Sequence, residues 1–175
     1  MSVTLDSQCV TYLIDALTGM EKPERDLAEE KISLVQIFFY VASHYETTPE
    51  VVVEVNKISE PLKLATHLSW IRTHFAPREF WKDGQREIVR SRYKEFYPIH
   101  KKEADCRILA QAEALEFSTL LSYDLAFVDN LSSRTNINLL KPSEHWQSCR
   151  VERGAELKVG PHFSSPLLAK DWWRI

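Results

Sequence analysis

Hydrophobic positions along the chain follow two patterns, short apolar runs typical of strands and longer stripes typical of helices. The opening residues MSVTLD predict a short strand that ends at Asp6, and CVTYLIDAL predicts a helix that stops near Gly19. The segment KPERDLAEEKISLVQ predicts a second helix, because it has an early proline, acids near its start and helix formers throughout. The aromatic and β-branched run QIFFYVAS, residues 36–43, predicts a second strand.

The next segment, TTPEVVVEVNKI, carries two opposing signals. Its valines favour a strand, whereas Thr48 as a cap and Pro49 at the first helical position favour a helix. We predict a helix.

Residues 60–97 predict helices rich in Arg, Lys and aromatic side chains, with breaks near Pro77 and Pro98. A helix at Asp105 follows, and then the strands FSTLLSY and NINLL. Strands that alternate with helices indicate an α/β fold whose parallel sheet is covered by helices on both faces. We predict one domain over residues 1–147, which includes the basic helical region 60–102, and an irregular C-terminal extension over residues 148–175.

Composition places the chain among globular proteins with one core, since it has 175 residues and 44% hydrophobic side chains. No apolar run approaches the roughly 18 residues that a membrane span needs, so we expect no membrane association. The amino terminus lacks the features of a secretion signal. Cys9, Cys106 and Cys149 are widely spaced and form no CxxC pair, which fits a reducing cytosol, and we expect a cytoplasmic protein.

Charge is distributed unevenly although the net charge is only −3. Residues 1–56 carry 3 basic and 10 acidic side chains, residues 57–102 carry 11 and 5, and residues 103–175 carry 8 and 10. The basic middle third could attract a polyanion, or it could be a solvated helical face. The six histidines form no HxxxH or HExxH spacing, and the chain has no P-loop, GxGxxG or GxSxG motif.

Carboxylates carry the candidate chemistry. Asp105 shares a helix face with Ile108 and Leu109, although a buried charge is costly unless it is paired or binds a metal. Asp6 and Asp124 end two predicted strands, and Glu54 lies beside an apolar helical stripe. Each acid alone has a structural explanation, as a helix cap, a turn residue or an exposed side chain. Together at one sheet edge, they would repel each other unless they bound a hard cation such as Mg²⁺ or Mn²⁺.

Four segments, in order, resemble the signature segments of the PIN-domain nuclease family, and of its VapC-like members: TLDSQCVTYLIDAL, TTPEVVVEV, EADCRILAQAEAL and LLSYDLAF. The resemblance covers roughly residues 2–145, and its most specific part is the helix at Asp105 followed by SYD 17 residues later. It implies an α/β/α sandwich with a central parallel sheet of four to five strands and a metal-dependent phosphodiesterase site.

The resemblance also implies roles for particular residues. Asp6, Glu54, Asp105 and Asp124 would be the catalytic acids and the ligands of one or two Mg²⁺ or Mn²⁺ ions. Ser7 and Ser122 would orient those carboxylates. The expected reaction is endonucleolytic cleavage of single-stranded RNA that leaves a 5′-phosphate and a 3′-hydroxyl. Many family members carry a further acid where this chain has Ala126.

The basic middle third supplies a predicted RNA surface, because cations attract phosphates and aromatic rings stack on bases. Its candidate RNA-binding residues are Arg78, Lys82, Arg86, Arg90, Lys101 and Lys102. The interleaved aromatic side chains could equally belong to the core; they are Trp70, Phe75, Phe80, Trp81 and Tyr93.

Two other functions remain open. The chain could be a PIN-like module that binds RNA or a protein without cutting, for which the residue at Ala126 is the argument. It could also be the toxin of a toxin–antitoxin pair, which implies an antitoxin protein as partner and a homodimer. The tail SSPLLAKDWWRI would expose two tryptophans unless it folds back onto the domain, which we expect.

Overall fold

Four parallel strands form a single sheet within residues 2–19, 27–41, 44–80 and 82–175, the ranges that our computed structural model describes. The strands are β1 (Ser2–Leu5), β2 (His44–Glu46), β3 (Thr119–Leu121) and β4 (Asn138–Leu140). Their spatial order is β2-β1-β3-β4.

The centre of the sheet is buried on both faces. Val3 of β1 pairs with Thr119 of β3, and Leu5 pairs with Leu121. All three residues of β3 are fully buried. Since successive side chains of a strand point to opposite faces, helices or loops must cover both sides of the sheet. The hydroxyl of Ser118 also donates to the carbonyl of Ser2 at 2.7 Å, beside the β1–β3 pair. The predicted α/β class with a parallel sheet is confirmed.

Eight α-helices surround the sheet in the described ranges, and a short 3₁₀ turn, Pro166–Ala169, follows the last of them. The helices are α1 (Ser7–Thr18), α2 (Ala28–Tyr40), α3 (Pro49–Val55), α4 (Pro61–His74), α5 (Gln85–Phe96), α6 (Glu103–Ala114), α7 (Leu125–Leu131) and α8 (Pro142–Cys149). None of the helices within these ranges is long and apolar enough to span a membrane.

Helix α1 begins and ends where the sequence signals its boundaries. The side chain of Asp6 accepts a hydrogen bond from the backbone N–H of Cys9 at 2.6 Å. Gly19 ends the helix in the left-handed conformation, with φ of 77°, which glycine adopts without the strain of a Cβ. A side chain at this position would also collide with the ring of Pro166, so a larger residue would move the C-terminal tail.

The prediction of a strand over residues 36–43 is wrong. Gln36 to Tyr40 form the last part of α2, the second strand begins at His44, and residues 42 and 43 lie outside the described ranges. Most positions of this part of α2 are buried, including Ile37, Phe39 and Tyr40. A helix that is buried all round loses its 3.6-residue periodicity, and its apolar run then looks like a strand. The first five residues of the predicted KPERDLAEEKISLVQ helix also lie outside the described ranges.

The ambiguous segment TTPEVVVEVNKI is confirmed as a helix. Pro49 is its first helical residue, and Val51 and Val55 face the core. The preference for proline at the first turn therefore decided the structure over the strand preference of valine. The region 60–97 is likewise helical, in two helices interrupted around Pro77.

The C-terminal tail folds back onto the domain. Trp173 is fully buried, its ring centroid lies 4.6 Å from that of Phe39 in α2, and its indole N–H donates to the carbonyl of Leu167 at 3.0 Å. The carbonyl of Phe39 in turn accepts hydrogen bonds from the backbone of Lys158 and Val159, at 2.8 and 3.1 Å. The tail therefore completes the core on the outer side of α2.

A buried charge cluster joins α1 to α4. The Nδ1 of His67 lies 2.7 Å from the carbonyl of Lys63, and its Nε2 lies 3.1 Å from Oδ1 of Asp15 and 3.3 Å from the carbonyl of Thr11. Because acceptors face both ring nitrogens, His67 is held as an imidazolium. Burial alone would lower the pKa of His67, but Asp15 and the backbone carbonyls outweigh burial and raise it.

The same cluster holds Asp15 ionised. Burial would raise the pKa of Asp15, but His67 and the ammonium of Lys63, 2.5 Å from Oδ2, outweigh burial and lower it. Asp15 and His67 are almost completely buried. Removing one partner would therefore leave an uncompensated buried charge.

Replacing Trp173 by alanine should lower the free energy of unfolding by about 3–5 kcal/mol, because it leaves a large cavity against α2. Urea unfolding monitored by circular dichroism would measure this. Phe163→Ala is the matched control, since Phe163 is 85% exposed and its removal should change stability by less than about 0.5 kcal/mol. Equal effects of the two variants would contradict the structural role of the tail.

The His67–Asp15 pair should make stability fall at alkaline pH. The raised pKa of His67 gives a stabilisation that is complete below the unfolded pKa, near 6.5, and is lost as pH rises through the folded pKa. Urea midpoints measured between pH 6 and pH 10 should therefore decrease for the wild type. His67→Gln should cost about 3 kcal/mol at pH 6 and should show a flatter alkaline profile. An unchanged alkaline slope in this variant would contradict the assignment.

Candidate functional site

Two of the predicted acids lie at the carboxyl ends of adjacent strands. Asp6 directly follows β1, and Asp124 follows β3 by three residues. The backbone N–H of Asp6 donates to the carbonyl of Leu121 at 3.0 Å, which extends the β1–β3 pairing to the acid itself. In the order β2-β1-β3-β4, the chain leaves β1 toward one side of the sheet and β3 toward the other. Open α/β sheets bind ligands in a crevice at such a point, beyond the carboxyl ends of the strands.

Asp6 is the buried member of this group, with 3% of its surface exposed. Burial raises the pKa of Asp6 to about 6, hydrogen bonds from Ser122 and Cys9 partly oppose this, and the charge of Asp105 raises the pKa further. The fully buried hydroxyl of Ser122 also accepts a hydrogen bond from the backbone N–H of Asp124 at 3.1 Å. Ser122 therefore links Asp6 to Asp124, as its predicted orienting role requires.

Asp105 lies in the first turn of α6, and its carboxylate oxygen Oδ2 is 2.8 Å from Nε2 of His100. The other ring nitrogen of His100 lies 3.3 Å from the side-chain amide of Asn130, which can only donate. A hydrogen bond from this amide to Nδ1 leaves Nε2 as the ring nitrogen that faces Asp105. The imidazole is almost fully buried and packs against Phe127, with 5.4 Å between ring centroids.

Asp124 both caps α7 and binds a cation. One of its oxygens accepts from the backbone N–H of Phe127 at 3.1 Å, and the other contacts the ammonium of Lys102. Burial would raise the pKa of Asp124, but Lys102 and the cap hydrogen bond outweigh burial and lower it. Asp124 and Asp105 in turn raise the pKa of Lys102. Asp6, Asp105 and Asp124 are therefore linked electrostatically, directly or through Lys102.

The fourth predicted acid, Glu54, borders a neighbouring cavity of about 270 Å³. Its carboxylate pairs with Lys57 at 2.5 Å. Ser7, the residue after Asp6, also lines this cavity, as does the buried Asp15. The structure thus places Glu54 and Ser7 beside the group of three aspartates, around a different opening. In the part of the chain that the structure describes, no three His, Cys, Asp or Glu side chains are arranged to hold one metal ion as they stand.

The predicted RNA-binding cations divide into two groups. Arg78 serves the fold, because its guanidinium pairs with Glu46, donates to the carbonyl of Leu115 at 2.8 Å and lies over the ring of Phe117. Lys82 forms an exposed ion pair with Glu116 at 2.6 Å.

The remaining cations are more open. Arg86 and Arg90 lie on the exposed face of α5, and Arg90 is 3.6 Å from Glu87. Lys101 lies 5.6 Å from the ring of Tyr97, and it directly precedes Lys102. Lys102 is the candidate cation that directly contacts a predicted catalytic acid, and Lys101 is its neighbour.

The aromatic side chains of the basic region also differ in exposure. Phe75 is fully buried, whereas Trp70, Phe80 and Tyr93 are partly buried against the core, and Trp81 lies outside the described ranges. The alternative that these rings belong to the core is thus confirmed for Phe75 and in part for the other three.

His100 and Asn130 are the residues of this site that the sequence did not reveal. His100 precedes Asp105 by five positions and Asn130 lies in α7, so no short motif connects the three. The available signal was indirect: a carboxylate on the buried face of a helix needs a partner, and the nearest histidine in sequence is His100.

Asp6→Asn should stabilise the metal-free protein at pH 8 by about 2–3 kcal/mol. With a folded pKa of about 6 against an ordinary aspartate pKa of 3.8, Asp6 gives stability that is complete below about pH 4 and is lost as pH rises through 6. The amide keeps the cap of α1 without a buried charge, so the gain should vanish near pH 4. Urea titrations with EDTA at both pH values would measure it.

Asp124→Asn is the matched control, with the opposite sign at pH 8. Its carboxylate has a lowered pKa and binds Lys102, so the amide should destabilise the protein. If Asp6→Asn destabilised the protein equally at both pH values, a costly ionised Asp6 would be excluded.

Comparison with known proteins adds no assignment to this geometry. No protein-family model matches the chain, and neither the curated proteins nor the solved structures give a significant match.

Proposed function

We propose that the chain is a PIN-like, metal-dependent endoribonuclease that cleaves single-stranded RNA. The observation that supports the proposal is the position of Asp6 and Asp124 after β1 and β3, with Asp105 near enough to contribute to the raised pKa of Asp6. Four sequence segments that resemble the family, in the family's order, supply the reaction class. The parallel sheet is compatible with the sandwich that this resemblance implies.

The chemistry of the donor set fits a hard divalent cation. Asp6 is buried and Asp105 adds to its raised pKa, so the group carries more negative charge than its own hydrogen bonds neutralise. Carboxylate oxygens are the ligands that Mg²⁺ and Mn²⁺ prefer. Binding would require rearrangement, because no three acids of the described residues are arranged to hold one ion as they stand and the ammonium of Lys102 contacts Asp124.

A bound Mg²⁺ or Mn²⁺ would lower the pKa of a coordinated water and offset the charge of the attacked phosphate. The chain's own contribution is positional. Ser122 ties Asp6 to the backbone of Asp124, and His100 holds Asp105 through a hydrogen bond that Asn130 orients. These contacts restrain the carboxylates individually, as residues around metal ligands commonly do.

Glu54 and Ser7 occupy the adjoining cavity in this proposal. A second ion or a positioned water there would lie beside Asp6, because Ser7 is the next residue along the chain. Glu54 would serve that second position rather than the first.

A second function has an observation in its favour. Lys102 and His100 already contact Asp124 and Asp105, so the chain partly neutralises its own acids. Ala126, where many family members have a further acid, is exposed on α7. These features suit a PIN-like module that binds RNA or a protein without cutting it.

Cleavage of end-labelled single-stranded RNA with Mn²⁺ or Mg²⁺ separates the two functions. Wild-type protein should cut, EDTA should stop the reaction, and Asp105→Asn should lower the rate about 100-fold or more, since metal catalysis supplies several kcal/mol. Asp171→Asn is the control, because the side chain of Asp171 is 97% exposed in the tail.

Two results would count against the nuclease. The first is intact RNA in every reaction while the RNA is still bound, which would support the binding module. The second is equal cleavage by wild type and Asp105→Asn, which would point to a contaminating nuclease.

A further inference from the structure

Three consecutive residues connect the acids to the basic surface. His100 contacts Asp105, Lys101 lies 5.6 Å from the ring of Tyr97, and the ammonium of Lys102 contacts Asp124. Lys102 immediately precedes α6, and its side chain reaches across to the end of β3. This is a contact between distant parts of the chain, since Lys102 and Asp124 are 22 positions apart.

The ammonium of Lys102 lies in the field of two acids, because both Asp124 and Asp105 raise its pKa. It therefore stands where a cation is needed, at the crevice that the carboxylates share.

We propose that Lys102 is a resident cation that a divalent metal displaces from Asp124. The inference rests on the proposed function and adds a regulatory contact to the same site. While the ammonium of Lys102 stays on Asp124, its charge repels a divalent ion at the same carboxylate, and this repulsion grows as the two cations approach each other. Metal binding therefore includes the cost of separating Lys102 from Asp124.

The two side chains that contact these acids, Lys102 and His100, differ in how easily they can leave. The side chain of Lys102 is 58% exposed and has a flexible four-carbon stem, so its ammonium can move into solvent without repacking the core. His100, in contrast, is 3% exposed and is held by Asn130 and Phe127. The displaced group is therefore Lys102, and His100 stays on Asp105.

Release would also change the surface next to the acids. Freed from Asp124, Lys102 would add its ammonium to that of Lys101 at the rim of the crevice, where an RNA phosphate would approach. Without the metal, this charge is paired with Asp124. The metal-bound form exposes it.

The test measures Mn²⁺ binding directly, by the electron paramagnetic resonance signal of free Mn²⁺ in titrations at pH 7.5 without RNA. Lys102→Met should bind Mn²⁺ about tenfold more tightly than wild type, because the competing charge is gone. Lys102→Arg should bind about as weakly as wild type. Lys101→Met removes the same charge one position away and should change the affinity by less than about twofold.

The outcomes distinguish this inference from the proposed function. If wild type binds Mn²⁺ and Lys102→Met binds no more tightly, the displacement is wrong and the metal site stands. An equal gain in Lys101→Met would also overturn it, because the effect would then be one of overall charge. If no variant binds Mn²⁺, both proposals fail together. Lys102 is exposed, and circular dichroism would verify that each variant is folded.

Discussion

The parallel pairing of β1 with β3 is the interaction on which the rest of the site depends. It places Asp6 against the carbonyl of Leu121, so the first acid of the chain lies directly beside the end of β3. Ser122 then connects that acid to the backbone of Asp124. A shift of one residue in this register would turn the side chains of β3 to the opposite faces of the sheet, and the connection would be lost. The acids are therefore positioned by backbone pairing more than by loops.

Burying acids at this position has an electrostatic cost that the chain reduces in three different ways. Burial raises the pKa of Asp6 to about 6, Asp105 contacts a buried histidine, and Asp124 binds an exposed lysine. Elsewhere the chain uses a complete ion pair, as between Asp15 and the buried imidazolium of His67. The Asp15–His67 pair thus holds two helices together with its charges paired. The charges of Asp6, Asp105 and Asp124 are compensated only in part. Incomplete compensation is a property of sites that bind ligands.

Much of this arrangement follows from the sequence. Asp6 and Asp124 directly follow predicted strands, and parallel strands bring their carboxyl ends to one edge, so their approach could be predicted. Pro49 correctly signalled the helix that carries Glu54. The helix over Gln36–Tyr40 was wrongly predicted as a strand, because burial on most sides removes the 3.6-residue periodicity of apolar positions. The partners of Asp105 and Asp124 depend on tertiary contacts between α6, α7 and the end of β3, which no local pattern encodes. The position of Glu54 beside a separate cavity also depends on tertiary contacts, which no local sequence pattern encodes.

The β1–β3 pair also determines when the site forms. Ser2 and Ser118, which the pair brings together, are 116 positions apart, and the segment between them contains six of the eight helices in the described ranges. Contacts between residues so distant in sequence close late in folding, because the entropy of loop closure is lost before they stabilise the chain. Folding intermediates built from α1 to α6 alone would hold Asp6 and Asp105 without Asp124 or its strand. Such intermediates would lack the crevice, so the completed fold and the acid group are expected to appear in the same kinetic step.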